Sequence, residues 1–263
     1  MLKGLYTAYT GMINEQNRMD VLTNNLANAD TVGFKKEGAT SQSFDALLVD
    51  KIKDDSEVAA LPRRIGKANP GVKIGEGYTD YSQGSFQVTN NVYDFALAGK
   101  GFFTIEYTDK AGNKSVMYTR DGNFTVDAQG YLVTQDGDFV MGKTGNGNTG
   151  YIKLDPNAEF TVKQDGSIYQ NDRRVAAMQL TDFEDYNYLE HFGENYYYPV
   201  EGAEVINDAK CTVNQGYLET SNVSIVSEMV EMISVSRQYE ANQKLIQTYD
   251  SSLDIAVNQL GKV

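Results

Sequence analysis

The chain has 263 residues, enough for one large or two modest domains, and 41% hydrophobic with 22% charged residues is a globular balance. Its 36 acidic against 23 basic residues leave a net charge of -13, which argues against nucleic acid and against an anionic membrane surface as partners. One cysteine, Cys211, excludes an internal disulfide and a cysteine-built zinc site, and no apolar run approaches the roughly 20 residues of a membrane span.

The N-terminus lacks the uninterrupted apolar core of a cleavable signal peptide, so export by the general secretory route is not expected. Instead Leu2, Leu5, Tyr9, Met12, Gln16, Met19, Thr23 and Leu26 alternate by three and four, the spacing of a narrow apolar stripe on a helix. Gly4 and Gly11 each weaken such a helix by about 1 kcal/mol relative to Ala, so it depends on packing. The rhythm stops at Asn24. The run Asn28-Ala29-Asp30-Thr31-Val32-Gly33-Phe34-Lys35 reads as a helix exit and turn, with Gly33 free to take a positive φ.

Residues 35–75 are of mixed polarity and carry an acidic run at 51–57, which reads as an extended connector. From 76 to 221 short β-runs alternate with Gly and Asp turns, giving a central all-β domain. Strands are predicted at 102–107, 116–119 and 139–141, and a hairpin from 123–126 and 131–134. The pattern Phe-Thr-Val-x-x-x-Gly-x-aliphatic occurs at Phe124–Leu132 and again at Phe160–Ile168, which suggests a repeated hairpin. Cys211 reads as a small residue in a strand.

Several matches in this domain point to chemistry that the surroundings contradict. Gly137 to Thr144 fits the phosphate-loop pattern through Gly142, Lys143 and Thr144, but Phe139-Val140-Met141 is strand-like and Gly145 to Gly150 would break the helix such a loop requires. Residues 145–150 fit the dinucleotide pattern too, yet they lead into strand-like Tyr151-Ile152. His191 is the only histidine, with no Cys nearby and no second His to share a metal; it reads as a surface or loop residue. Asp182, Glu184, Asp185 and Glu190 read as a solvated face. No catalytic residue, cofactor or metal is expected.

The last stretch mirrors the first. Ser221 and Asn222 are suited to capping a helix over about 222–260, roughly 58 Å at about 1.5 Å per residue. Along it Met229, Met232, Ser236, Tyr239, Gln243, Ile246, Asp250, Leu253, Val257 and Leu260 again alternate by three and four. The expected class is therefore α+β. Long terminal helices (1–34 and 222–263) pack as a coiled-coil-like domain around one chain-end, and the β-domain lies between them in sequence.

Ala27-Asn28-x-x-Thr31-x-Gly33-Phe34-Lys35 resembles the N-terminal motif of the bacterial flagellar rod and hook family. Asn91 to Phe103, Tyr118-Thr119-Arg120-Asp121-Gly122-Asn123-Phe124, Gly130 to Val133, Gly216-Tyr217-Leu218-Glu219-Thr220-Ser221-Asn222-Val223 and Arg237-Gln238-Tyr239-Glu240-Ala241-Asn242 resemble its later motifs, in family order. The details look nearest the distal rod type, although Ser224 stands where members often carry Asp, and residues 145–210 match loosely. The resemblance implies a structural, non-enzymatic subunit of the basal body. It would stack helically with its own copies and with other rod and hook proteins, after passing through the flagellar export apparatus without a cleaved signal, to lie outside the cytoplasmic membrane. Under that reading Leu5, Tyr9, Met12 and Met19 pack with Met229, Met232, Tyr239, Ile246 and Leu253 within or between subunits, and Asn28, Thr31, Gly33 and Phe34 shape the helix-to-β junction. A proximal rod or hook position stays open. So do a secreted adhesin with a coiled-coil stalk and, more remotely, a nucleotide-binding enzyme using Lys143 and Thr144.

Overall fold

The computed structural model describes residues 2–51, 63–144, 149–156, 158–193, 195–207 and 209–260. They form two units, each assembled from separated stretches of chain: one from 1–27, 37–80 and 224–263, the other from 28–36 and 81–223. The acidic run at 51–57 falls outside the described residues apart from its first member.

In the first unit, helix α1 (Leu2–Ala27) and helix α2 (Ile225–Ile255) run antiparallel. The glycines of α1 mark where they approach. A Cβ on Gly4 would lie 2.4 Å from the Tyr249 hydroxyl, and one on Gly11 would lie 3.0 Å from Asn242 Nδ2. These glycines therefore exchange helix propensity for close approach, a role beyond the weakening expected of them.

The buried line of α1 contains Ala8, Asn14, Glu15, Leu22 and Asn25; that of α2 contains Glu228 and Val235. Leu5, Met12, Met19, Met232, Tyr239, Ile246 and Leu253 are half-buried. Tyr9 and Met229 are not part of the seam: they are 51% and 48% exposed. The alternate positions are instead filled by the residue immediately before each, Ala8 and Glu228. Apolar spacing favoured the larger Tyr9 and Met229, but a close pair of helices has room for alanine and for polar groups that can find partners. Asn25 supplies several. Its Nδ2 donates to Glu228 Oε2 at 3.2 Å and to the Glu37 carbonyl at 2.7 Å, while its Oδ1 accepts the Glu37 amide at 2.9 Å. Arg18 bridges Glu15 at 3.2 Å and Glu231 at 3.1 Å.

Residues 37–51 and 63–79 contain two paired ribbons. Glu37–Ser43 pairs antiparallel with Val72–Thr79, from Glu37↔Thr79 to Ser43↔Val72, and Leu47–Lys51 pairs with Arg63–Ala68. The first ribbon is tied to α1 through Asn14 Nδ2, which donates to Ser41 Oγ at 3.0 Å. Its strand Glu-Gly-Ala-Thr-Ser-Gln-Ser has no apolar alternation, so only main-chain pairing and such side-chain ties reveal it.

The second unit is built on antiparallel strands. Its main sheet runs in the order Phe160–Val162, Ser167–Gln170, Arg173–Met178, Phe139–Thr144, Phe102–Thr108, Lys114–Thr119, Tyr196–Pro199 and Leu189–Phe192. Phe95, Leu97, Phe103, Ile105, Phe124, Leu132, Val140, Ile152 and Ile168 form its buried centre. The repeated sequence pattern folds as two hairpins of one register: Phe124↔Thr134 and Val126↔Leu132 in the first, Phe160↔Gln170 and Val162↔Ile168 in the second. Lys143 lies in the strand Phe139–Thr144, whose Lys143 pairs with Thr149 and Ala177, so a phosphate-wrapping loop does not occur there; residues 145–148 are not described. Cys211 is buried just before the strand Thr212–Gln215, and burial raises its thiol pKa. His191 is in the strand Leu189–Phe192 rather than a loop, edge-on to Phe34 and Tyr197 at 6.4 and 5.3 Å between ring centres.

Candidate functional site

The residues 28–36 belong to the second unit and fold into it as a turn. The Asn28 carbonyl accepts the Thr31 amide at 3.2 Å, Thr31 Oγ1 meets Asn28 Oδ1 at 3.2 Å, and the Phe34 amide reaches the Thr31 carbonyl at 3.4 Å. Gly33, at φ +72°, donates its amide to the Glu219 carbonyl at 2.8 Å. A Cβ there would sit 2.6 Å from the Asp121 nitrogen and 2.7 Å from the Arg120 carbonyl carbon. Only glycine meets both the left-handed backbone and the close approach. Phe34 is 1% exposed. The four predicted junction residues thus occupy one turn.

Ser221 and Asn222 belong to this junction and do not cap α2. The helix cap is Ser224, whose hydroxyl makes no capping bond; its carbonyl accepts the Glu228 amide at 3.0 Å. Asn222 turns the other way in sequence: its Oδ1 accepts the Lys36 amide at 2.7 Å and its Nδ2 donates to the Ser82 carbonyl and hydroxyl at 3.2 and 3.0 Å. Ser221 Oγ accepts the Val223 amide at 3.2 Å. The cap signal was one turn early because Ser-Asn-Val-Ser offers two caps, and contacts to Lys36 and Ser82 claim the first.

The junction centres on a buried charge cluster that was not singled out from sequence. Glu219 is fully buried, Lys35 is 1% exposed and Arg120 4%. Lys35 Nζ donates to Glu219 Oε1 at 2.5 Å and to the Ser82 carbonyl at 2.9 Å. Arg120 donates to Glu219 Oε2 at 3.2 Å and to the Gly99 carbonyl at 2.8 Å, and its guanidinium lies 5.3 Å from the centre of the Phe102 ring. The Gly84 amide completes the carboxylate at 2.9 Å. Each charge comes from a different motif: Gly-Phe-Lys, Tyr-Thr-Arg-Asp-Gly and Gly-Tyr-Leu-Glu. The signal was a charged residue standing at a fixed place beside glycine and aromatic residues in each. One carboxylate facing two cations, each of which also donates to a backbone carbonyl, is an arrangement for holding three chain segments together rather than for proton transfer.

The helices of the first unit carry a second candidate surface. On α2, Val226 (73% exposed), Met229, Val230 (63%), Ile233 (55%) and Leu245 leave apolar side chains in solvent. Val230, Ile233, Ser234, Arg237, Gln238 and Ala241 line a groove there of about 400 Å³. On α1, Tyr6, Tyr9 and Ile13 are exposed. Uncovered apolar residues of this density on a helix mark a surface that is covered by something else. No helix among the described residues is long and apolar enough to cross a membrane.

A sealed junction and uncovered helix faces define a structural protein, whose recognisable residues hold segments together. The comparisons with known proteins agree in the same three places. A model described as flagella basal body rod protein matches residues 5–35, one for the flagellar hook protein FlgE/F/G D1 domain matches 96–170, and one for the flagellar basal body rod FlgEFG protein C-terminal matches 214–260. The flagellar hook-basal body complex protein FlhO of Bacillus subtilis is 32% identical over 100% of both chains. The flagellar basal-body rod protein FlgG of the same organism is 32% identical over 98% of this chain and 99% of its own. FlgF of Caulobacter vibrioides, also a basal-body rod protein, is 31% identical over the full length of both. The chain belongs to the flagellar basal-body rod protein family and is FlgG-like. Proteins of this family are structural and are not enzymes, and their place is the flagellar basal body.

Proposed function

We propose that the chain is a structural subunit of the flagellar basal-body rod, polymerising helically into the shaft that carries torque from motor to hook. Its partners are further copies of itself and the neighbouring rod and hook proteins. It reaches a site outside the cytoplasmic membrane through the flagellar export apparatus, without a cleaved signal peptide. The Gly216–Glu219 and Tyr239–Asn242 details favour the distal part of the rod. The secreted adhesin and the nucleotide-binding enzyme are not favoured by the family matches.

The observation that carries this reading is the exposed stripe from Val226 to Leu245 on α2, in a chain that matches rod proteins from end to end. The inner seam of the helix pair is rich in hydrogen-bonding groups, many of them paired across it or with the adjoining ribbon. The outer faces, with Tyr9 and Met229 among them, are what coiled packing between copies buries; Leu5, Met12, Met19, Met232, Tyr239, Ile246 and Leu253 support it from the seam. Asn28, Thr31, Gly33 and Phe34 fix the exit of the chain from α1 into the β-unit. Imaging basal bodies from a strain that lacks this gene tests the reading: a missing or truncated rod is expected, and basal bodies with complete rods would refute it.

A further inference from the structure

One cavity of the β-unit has a composition that neither the junction nor the helix faces use. It encloses about 450 Å³, walled by Tyr107, Phe192 and Tyr196 and by Asp121, Asp136 and Asn195. No lysine, arginine or histidine lines it among the described residues. The Tyr107 ring packs edge-on to Phe192 and Tyr196 at 5.5 and 6.1 Å.

Two carboxylates at this cavity share one hydroxyl donor. The Tyr196 hydroxyl stands 3.2 Å from Asp136 Oδ2 and 3.1 Å from Asp138 Oδ2, and its single proton can serve only one of them at a time. Asn195 gives its amide group to the Val32 carbonyl at 3.0 Å, while its own Oδ1 is buried without a hydrogen-bond partner. Asp121 accepts the Asn123 amide at 2.9 Å; burial, with Asp136 and Asp94 nearby, pushes its pKa up to about 6. A buried acceptor lacking a donor costs roughly 1–3 kcal/mol, as at Asn195 Oδ1, and the Asp136 and Asp138 carboxylates that share one tyrosine proton are places where a ligand's N–H would be favoured.

Aromatic walls, carboxylates and a carbonyl without a donor suit a planar cation with several N–H groups, which is a guanidinium. A bare metal ion fits less well. Nowhere among the described residues do three metal-capable His, Cys, Asp or Glu gather, and a hard cation needs converging oxygens at about 2.3–2.6 Å.

The same chain presents such a group. Asn171 and Asp172, at φ +51° and +61°, make the two-residue turn between Ser167–Gln170 and Arg173–Met178, and Arg173 and Arg174 follow it at exposed positions. Each copy carries a net charge of -13, so copies repel unless a basic group of one meets an acidic site of the next. We propose that the cavity seats an arginine of the Asn171–Arg174 turn of a second copy of this chain. The contact is heterologous, a projecting tip into a distant socket, and so repeats from one copy to the next instead of closing a dimer. It rests on the rod reading above, because it needs neighbours of the same kind.

Charge exchange tests it. Asp136→Arg and Arg174→Asp, both at exposed positions and checked for folding by circular dichroism, are each expected to raise the critical concentration for polymerisation at least about tenfold. The double variant is expected to recover most of the loss. Singles that polymerise like the unaltered chain, or a double no better than its worse single, would overturn the proposal. Should the unaltered chain not polymerise at all, the rod reading fails separately, and a second measurement still decides the cavity. A peptide of residues 167–178 is titrated against the monomer and followed by NMR, beside the same peptide with citrulline at both arginines. Saturable shifts at Asn195 and Tyr196 with the arginine peptide alone support the socket; equal shifts, or none, overturn it.

Discussion

Removing the charge of Glu219 while keeping its shape isolates what the junction cluster does. At roughly 3 Å and an effective dielectric near 20, each of its two ion-pair contacts is worth about 5 kcal/mol before solvation is considered. Most of that is offset by taking three charges out of water. Glu219→Gln removes the carboxylate charge that Lys35 and Arg120, 1% and 4% exposed, share. The expected loss is about 3–5 kcal/mol, the range for a buried charge deprived of its partner. Lys35→Met leaves Glu219 with Arg120 and the Gly84 amide, a balanced set, and is expected to cost less than half as much. In the double variant the contact between Lys35 and Glu219 is lost only once, so the two losses should fail to add by about 2 kcal/mol. Urea dependence of hydrogen exchange at the amides of Phe103 and Ile105 reads the β-unit specifically. A loss below about 1 kcal/mol for Glu219→Gln, or strict additivity with Lys35→Met, would refute the view that buried charge balance holds the junction.

Other outcomes follow from the same geometry. Gly33→Ala must adopt φ +72° and place a methyl 2.6 Å from a backbone nitrogen, so a loss of more than about 2 kcal/mol in chemical denaturation is expected, and a neutral result would mean the turn re-forms elsewhere. For Asp121 the folded pKa of about 6 lies above its ordinary 3.8, so the folded chain holds an extra proton in between and stability falls as pH rises through that window. Asp121→Asn should flatten this part of the pH-stability profile and stabilise the monomer at pH 7.5 by up to roughly 3 kcal/mol; an unchanged slope between pH 4 and 6 would contradict it. Ile233→Asp, on the outer face of α2, should change thermal stability by less than about 0.5 kcal/mol yet abolish pelletable polymer in sedimentation. Normal polymer from that variant would remove α2's outer face from the assembly surface.

Sequence pattern revealed the helices and the hairpins because both announce themselves by period. Leu5, Met12, Met19, Met232, Tyr239, Ile246 and Leu253 are half-buried. The intervening positions slipped by one residue, from Ala8 to Tyr9 and from Glu228 to Met229. A rule that seeks apolar side chains cannot choose a buried glutamate whose partner, Asn25, lies on the other helix. The ribbon Glu37–Ser43 was illegible for a related reason: its pairing uses main-chain groups and its side chains are small and polar. Lys35, Arg120 and Glu219 stood in quoted motifs, yet nothing local says that residues so far apart in the chain share one carboxylate. Ser221 and Asn222 had the chemistry of a cap and found other amides to receive.

The separation within that cluster also sets an order in time. Lys35 and Glu219 are 184 positions apart, whereas the hairpins at 124–134 and 160–170 close over a handful of residues. Local closures run in microseconds and distant ones wait on the chain entropy they must overcome. A chain delivered N-terminus first therefore has its hairpins ready while Lys35 still lies in water, and the junction shuts only once the strand bearing Glu219 has emerged. Closure of the β-unit becomes a late event, timed by the arrival of nearly the whole polypeptide.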